Sequence, residues 1–392
     1  MRFSLFLGAT VASLCGDWLT TVAVGVVLLE ATGSAAAPAA FILIRTVPRL
    51  AGPVLGGLVA DRLAADRALA GVLTGQAAIA AVLLVAVDRR SVVGILLVVA
   101  VSQLVGSAAR PIQQAMLPRL VQRAGMSRMA GLYSAGVGGA MFLSPALGVV
   151  LLRHGGADVL VLVDLGSFVL AALLVLCIGF GERVSGRAGL DVQMALGGVR
   201  PVLRDPVLRS AAAVQFTNAL AIGAVQASIV VMAADRFGGA DLSGLLYAGV
   251  GGGAVLTGLL IASRFHGRAN RDMLFGACVV TAVSLGSLAA VHALWLALPL
   301  LFVSAIGSTA GDAWSATEVA HRVDNHLLGR ANGVIVLAGF LGVVTGAGAA
   351  TLFNPLIGWA PTVISLSAVA VTVAFLVILT AGFSRRPVPA ST

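Results

Sequence analysis

Pro53-Val-Leu-Gly-Gly-Leu-Val-Ala-Asp61-Arg62-Leu-Ala-Ala-Asp66-Arg67 is an apolar run that ends in four charges within seven residues. An apolar helix stops there and a short charged loop begins. A weaker copy lies 202 positions later, Gly258-Leu-Leu-Ile-Ala-Ser263-Arg264-Phe-His-Gly-Arg268. Gly56 falls on Gly258, Asp61 on Ser263 and Arg62 on Arg264. A second pair keeps the same offset, Arg128-Met-Ala-Gly131 with Arg330-Ala-Asn-Gly333. Two matches at one offset indicate a chain built from two related halves.

The composition decides the class. Charged residues are 10% of the chain, hydrophobic residues 59%, and mean hydropathy is +1.03. A soluble domain carries about 25% charged residues, and one as apolar as this has no means of covering its surface. The chain is read as an all-α polytopic membrane protein. A net charge of +9 does not indicate nucleic-acid binding, because the arginines are scattered through short loops with few aromatics beside them. Every basic residue is Arg, with no Lys, a codon signature of a GC-rich genome. Cys15, Cys177 and Cys278 fall in apolar segments without metal-ligand spacing and read as packing residues. The first apolar stretch, after Arg2, is too long for a signal-peptide core and reads as an uncleaved first span.

Windows of about 20 apolar residues give twelve spans, at 3–29, 36–60, 68–87, 91–117, 128–152, 159–180, 207–233, 241–263, 272–291, 293–317, 329–353 and 359–382. The division within 272–317 is the weakest; only His292 interrupts it, with Trp295 and Pro299 suiting an interfacial turn. The longest polar segment, 181–206, separates six spans from six. The expected organisation is an N-terminal bundle (1–180), a linker (181–206) and a C-terminal bundle (207–392). Val192–Val199 inside the linker reads equally as a surface helix or as solvated chain. Eighteen arginines fall on the side of the termini and linker, against Arg89, Arg90, Arg153 and Arg236 on the other. The positive-inside rule then places both termini and the linker in the cytoplasm.

A charge at mid-membrane costs about 2.5–3.5 kcal/mol on insertion scales, so the charges inside spans are the first candidates for function. Asp17 in span one and Arg45 in span two both fall near mid-bilayer, and an ion pair between them is expected. Such a pair either couples to a proton or a cationic substrate, or only fixes packing. Arg110 in span four and Asp312 in span ten are again 202 apart, which places them as a pair or as opposite walls of a path. The alternative is that each snorkels to the interface. Pro111 is expected to bend span four. Gln215, Asn218 and Gln226 on span seven bind substrate or link helices. Trp18 beside Asp17 and Trp314 beside Asp312 suit a lipophilic cation or serve as ordinary packing tryptophans. Asp164, close to the outer end of span six, reaches either outer water or a partner. Glycine runs at 136–139, 249–253 and 342–348 mark close helix contacts rather than phosphate loops, since no Lys-Ser/Thr follows them. No residue pattern suggests a metal centre or catalytic constellation, so no enzyme activity and no cofactor is expected.

Gly57-Leu-Val-Ala-Asp61-Arg62 resembles the signature loop between spans two and three of the major facilitator superfamily. Cys15-Gly16-Asp17-Trp18-Leu19, Thr32-Gly33-Ser34 with Pro48-Arg49, and Pro111-Ile-Gln-Gln-Ala-Met-Leu-Pro118 resemble its drug and siderophore exporter branch, which includes macrolide-efflux and enterobactin-export proteins. Ser144-Pro145-Ala-Leu-Gly148 resembles the antiporter motif, with Ser144 and Val149 replacing glycines. The resemblance implies two six-helix bundles related by a pseudo-two-fold axis, with spans one, four, seven and ten lining a central cavity. It implies that the halves rock to give alternating access, with Asp61, Arg62 and Arg67 latching the inner gate against the start of span eleven. Ser263 replaces the acid in the second copy, which would leave the acidic latch to the first half.

The function this implies is proton-coupled antiport of amphiphilic small molecules such as drugs across a bacterial plasma membrane. The expected partners are a small-molecule substrate and the lipid bilayer, with no nucleic acid, and the chain is expected to act as a monomer. The energy source would be the proton gradient. Siderophore, natural-product or lipid export on the same fold is the alternative, and a transport-inactive sensor or assembly partner is another.

Overall fold

The computed structural model describes residues 2–51, 64–120, 126–179, 199–264, 271–323 and 328–380. Its regular structure is helical throughout these segments. In chain order the first half contains α1 (Arg2–Thr32), α2 (Ala36–Thr46), α3 (Ala65–Asp88), α4 (Val92–Gly106), α5 (Ala109–Leu120), α6 (126–155) and α7 (157–176). The second half contains a short α8 (Val199–Arg204), then α9 (Pro206–Arg236), α10 (Ser243–Arg264), α11 (Arg271–Ser287), α12 (Leu294–Arg322), α13 (Leu328–Ile357) and α14 (Trp359–Thr380). Among the described residues nine helical stretches are long and apolar enough to cross a membrane, one of them comprising α6 and α7, and the order of elements fits the twelve spans expected from hydropathy.

Local chemistry sets the element ends. Gly156 takes φ 76° and ψ 179°, a conformation that ends α6 and lets α7 turn back across the membrane. The carboxylate of Asp205 accepts the N–H groups of Val207 (2.7 Å) and Leu208 (3.3 Å), and Pro206 follows at the first helical position, so α9 begins there. Span two is less regular than a single helix over 36–60. The α-helix stops at Thr46 and Val47–Ala51 is a 3-10 turn, because Pro48 brings no N–H to an α-helical ladder. Span four breaks at Ser107 and Ala108, between α4 and α5. The ring of Pro111 would press on the carbonyl four residues earlier, which is that of Ser107. The bend expected from Pro111 therefore appears one turn ahead of it. His292 does separate α11 from α12, and Trp295 next to it is 71% exposed, as suits an interfacial ring.

Three apolar cores hold the molecule together, and their distribution defines its shape. One core joins both halves. It takes the last turns of α1 (Val22–Leu28), the first turns of α2, the end of α3, the last turns of α9 (Leu220–Ala233), the start of α10 and the end of α13. At the opposite end two cores stand apart. One belongs to the first half (Phe6, Leu69, Ile112, Met116, Phe168) and the other to the second (Leu208, Val214, Val319, Ile335). The halves are thus fused at the end carrying Arg153 and Arg236 and have separate cores at the Arg-rich end.

The fused end is packed through small residues, as expected where lipid offers no hydrophobic drive between helices. A Cβ on Gly251 of α10 would collide with the backbone of Met141 on α6, and one on Gly244 with the carbonyl of Pro145. Backbone-to-backbone approach of this kind requires glycine. Arg153 at the end of α6 closes the same seam by an ion pair with Asp241, Nε to Oδ2 2.5 Å. Large apolar side chains face outward along the spans, among them Val93, Leu97, Leu147, Leu173, Leu352 and Leu356. That much exposed apolar surface needs a lipid environment.

Candidate functional site

Charged and polar side chains meet at membrane depth in two places. The first lies inside the N-terminal bundle. A cavity of about 20 Å³ is bordered by Asp17 and Thr20 of α1, Arg45 of α2, Ser102 and Gln103 of α4, and Asp164 of α7. The expected Asp17–Arg45 ion pair is not formed; no guanidinium nitrogen of Arg45 comes within 4.0 Å of the carboxylate. Arg45 instead lies over the ring of Trp18, 5.2 Å from its centroid. The ring face attracts the cation, and the adjacent position on α1 leaves the carboxylate within electrostatic range of both Arg45 and Arg49. Arg49 donates its Nε–H to Oε1 of Gln103 at 2.6 Å.

Asp164 is 3% exposed and does not reach outer water. Its Oδ2 accepts the Thr20 hydroxyl at 2.7 Å, while Oδ1 is buried with no hydrogen-bond partner among the described residues. Gly16 makes this seat possible, since a Cβ there would strike Oδ1 of Asp164 and the hydroxyl of Ser167. The sequence marked Asp164 as an acid within a span; its tertiary partner, 144 residues away, left no sequence signal.

The second place lies between the halves. Asp312 of α12 is exposed, and its Oδ1 accepts Nε2–H of Gln215 on α9 at 2.5 Å. Arg110 of α5 is exposed on the other half and acts electrostatically on Asp312, yet the two are more than 4.0 Å apart. A cation and an anion thus face each other across the halves without pairing. Asn218, one turn along α9 from Gln215, is 2% exposed, and its Oδ1 has no partner among the described residues.

Between these places Trp18 meets Tyr247 of α10, with ring centroids 5.6 Å apart and planes tilted by 55°. The Tyr247 hydroxyl donates to the carbonyl of Gln226 at 3.2 Å. Arg45, Trp18 and Tyr247 form one stack that crosses from the first half to the second. Tyr247 was missed in the sequence, where its only distinction is being one of two tyrosines.

The other candidates are distributed as follows. Trp314 packs into the second half's own core with Phe275 and Val334 and is not part of the Trp18 stack. Ser144, Pro145 and Gly148 are buried. Pro145 supports the contact with Gly244, and Gly148 faces Leu19, Val22 and Leu160. Of the three, Pro145 belongs to the seam between the halves, whereas Gly148 packs inside the first half. Arg67 is exposed at the start of α3, with its backbone N–H held by the Asp66 carboxylate at 2.9 Å. Gly57, Asp61 and Arg62 lie outside the described residues, as does most of the surface-helix candidate at 192–199. Glu318 and Arg322 bond to each other at 2.6 Å, and Arg322 reaches Asp205 at 3.4 Å, so they brace the Arg-rich end of the second half.

Comparison with known proteins places this architecture. Residues 5–347 match the Major Facilitator Superfamily. The structure is similar to that of the nucleoside transporter NupG at TM-score 0.74 and 14% identity, covering 98% of this chain and 100% of that one. It is similar to the POT family transporter PepTSo at TM-score 0.73 and 13% identity, covering 97% of each chain. A bacterial homologue of the iron transporter ferroportin, in an inward-facing state, gives TM-score 0.72 and 15% identity over 98% of this chain and 99% of that one. At such identities the likeness establishes the fold and not the cargo. No curated protein sequence matches the chain. Long apolar helices in two halves, fused at one end around charges held at membrane depth, together with a family match over most of the chain, make this protein a multi-pass member of the Major Facilitator Superfamily of transporters.

Proposed function

We propose that the protein is a proton-coupled exporter of amphiphilic small molecules, drugs among them, working by alternating access in a bacterial plasma membrane as a monomer. Asp17 supports this reading most directly. It is a carboxylate at membrane depth, beside two arginines that it does not contact as a close ion pair. A group so placed can exchange a proton without breaking a short salt bridge, which suits coupling better than a permanent structural pair. Asp312, aligned by Gln215, and Arg110 would line the substrate path. The Arg distribution puts both termini in the cytoplasm. On that orientation the end with separate cores faces the cytoplasm, where cargo for export would enter. Asp61, Arg62 and Arg67 would latch that side when the halves close over it, and Pro145 would serve the opposite seam.

A second reading is export of an acid-bearing natural product or siderophore. Arg110, exposed toward the other half, favours it, because a guanidinium recognises carboxylates.

The test is accumulation of a fluorescent lipophilic cation in energised cells expressing the protein, with and without a protonophore. Lower accumulation that the protonophore abolishes is the expected result. Extrusion indifferent to the gradient sinks the coupling, and unchanged accumulation of cations alongside extrusion of acids favours the second reading.

A further inference from the structure

We propose that Asp164 and Asp17 together form a two-carboxyl proton site inside the N-terminal bundle, in which a single water in the cavity between them carries the proton from one to the other. The inference deepens the coupling reading above and rests on it for its role in transport, though not for the existence of the site.

Three observations carry it. Asp164 is 3% exposed, accepts one hydroxyl from Thr20, and presents a second oxygen that is buried without a partner among the described residues. No guanidinium among the described residues approaches it within 4.0 Å. A carboxylate so buried and so sparsely bonded is costly while ionised and not while protonated. Second, Asp17 and Asp164 line the same cavity, and its volume of about 20 Å³ accommodates one water. Third, the groups facing the cavity balance a single mobile proton. Asp17 comes from α1, Arg45 from α2 and Asp164 from α7, while Arg49, in the turn after α2, does not line the cavity and acts on Asp17 electrostatically. Among the described residues α4 adds Val99, the hydroxyl of Ser102 and the amide of Gln103, and α3 adds Ile79, Ala80 and Leu83, none of them charged. With Arg49 acting on Asp17 from beside the cavity, two ionised carboxyls and two guanidiniums sum to zero charge, and one bound proton makes the site net positive. A bare metal cation would be repelled by both arginines, whereas a proton shared by the carboxyls leaves the site with a net positive charge that the next proton acceptor can discharge.

The transfer is simple in its balance. The carboxyl O–H of Asp164 gives its proton to the water oxygen as the water passes one of its own to an oxygen of Asp17. Asp164 ends ionised and Asp17 neutral, and Arg45 and Arg49 offset the charge left behind. Thr20, one turn from Asp17 on the same helix, fixes Asp164 by its hydroxyl. Motion of α1 against α7 within the first half would therefore change the distance between donor and acceptor.

The experiment is infrared spectroscopy of the purified full-length protein in lipid vesicles, titrated in pH, with sodium chloride compared against choline chloride. Wild type is expected to show a protonated-carboxyl carbonyl band at neutral pH that is missing in Asp164→Asn and insensitive to sodium. In Asp17→Asn the band should persist but titrate as a single group. No such band in wild type, its survival in Asp164→Asn, or its removal by sodium would each overturn the site, the last in favour of a cation site. Should Asp164→Asn fail to fold, Thr20→Val decides. Loss of the hydroxyl donor must shift the band, and an unshifted band overturns the proposal. A band that behaves as expected, with extrusion indifferent to the gradient, would leave the site standing and remove the coupling reading. A missing band with gradient-driven extrusion would do the reverse.

Discussion

At the scale of single residues, the charges at membrane depth are arranged to avoid close ion pairs. Arg45 turns to the face of Trp18, Arg49 to Gln103, Asp312 to Gln215 and Asp164 to Thr20. Each charge is held by a neutral partner, so each remains available to a proton or a substrate. Asp17→Asn is expected to abolish gradient-driven export while leaving protein folded in the membrane, checked by transport in vesicles alongside size-exclusion behaviour. Full activity in that variant would remove Asp17 from the mechanism. The Trp18–Tyr247 contact joins the halves through aromatic rings. A double-mutant cycle of Trp18→Ala and Tyr247→Ala, read by thermal denaturation, should return a coupling of about 0.5–1.5 kcal/mol. A coupling near zero would mean the rings are adjacent without contributing.

At the scale of elements, helix ends and crossings follow from short sequence signals. Asp205-Pro206 starts α9, Gly156 ends α6, and Pro111 breaks span four at Ser107. Asp205→Ala should lower stability by about 1 kcal/mol through loss of the cap. Asp205→Asn should recover most of that, because an amide oxygen also caps, although the contact with Arg322 loses its charge. Equal melting of the two variants would show that the cap contributes little. The α6–α10 seam is governed by glycine. Gly251→Val places two methyl groups where the Met141 backbone lies and should drive the halves apart at the fused end. Cysteine labelling at Val26, buried near that end in the wild type, is expected to become faster in this variant. Unchanged labelling would show that the seam yields elsewhere.

For the whole molecule, the decisive feature is one shared core at one end and two separate cores at the other. The Arg153–Asp241 ion pair bridges the halves at the fused end, but Arg153's side chain is 56% exposed. An exposed pair contributes about 1 kcal/mol or less. Arg153→Ala should therefore raise the open population of that end by about fivefold at most, far less than Gly251→Val. Spin-label distances across the seam would check this. A complete opening from Arg153→Ala alone would make the ion pair, rather than helix packing, the main closure.

Hydropathy by itself determined the class, the twelve crossings and the turn at His292, because a lipid environment demands long apolar helices and leaves few other solutions. The 202-residue offset pointed to a chain of two related halves, and Pro111 foretold a bend in span four. The tertiary structure alone decided which partner each buried charge takes. Asp164 meets Thr20 across 144 residues, and Asp312 meets Gln215 across 97. It also decided that Arg45 prefers a ring to a carboxylate, and at which end the halves are joined. Helix formation is encoded by near neighbours in the chain. Side-chain partnership and closure depend on how helices rotate against one another, and no local pattern of residues records that rotation.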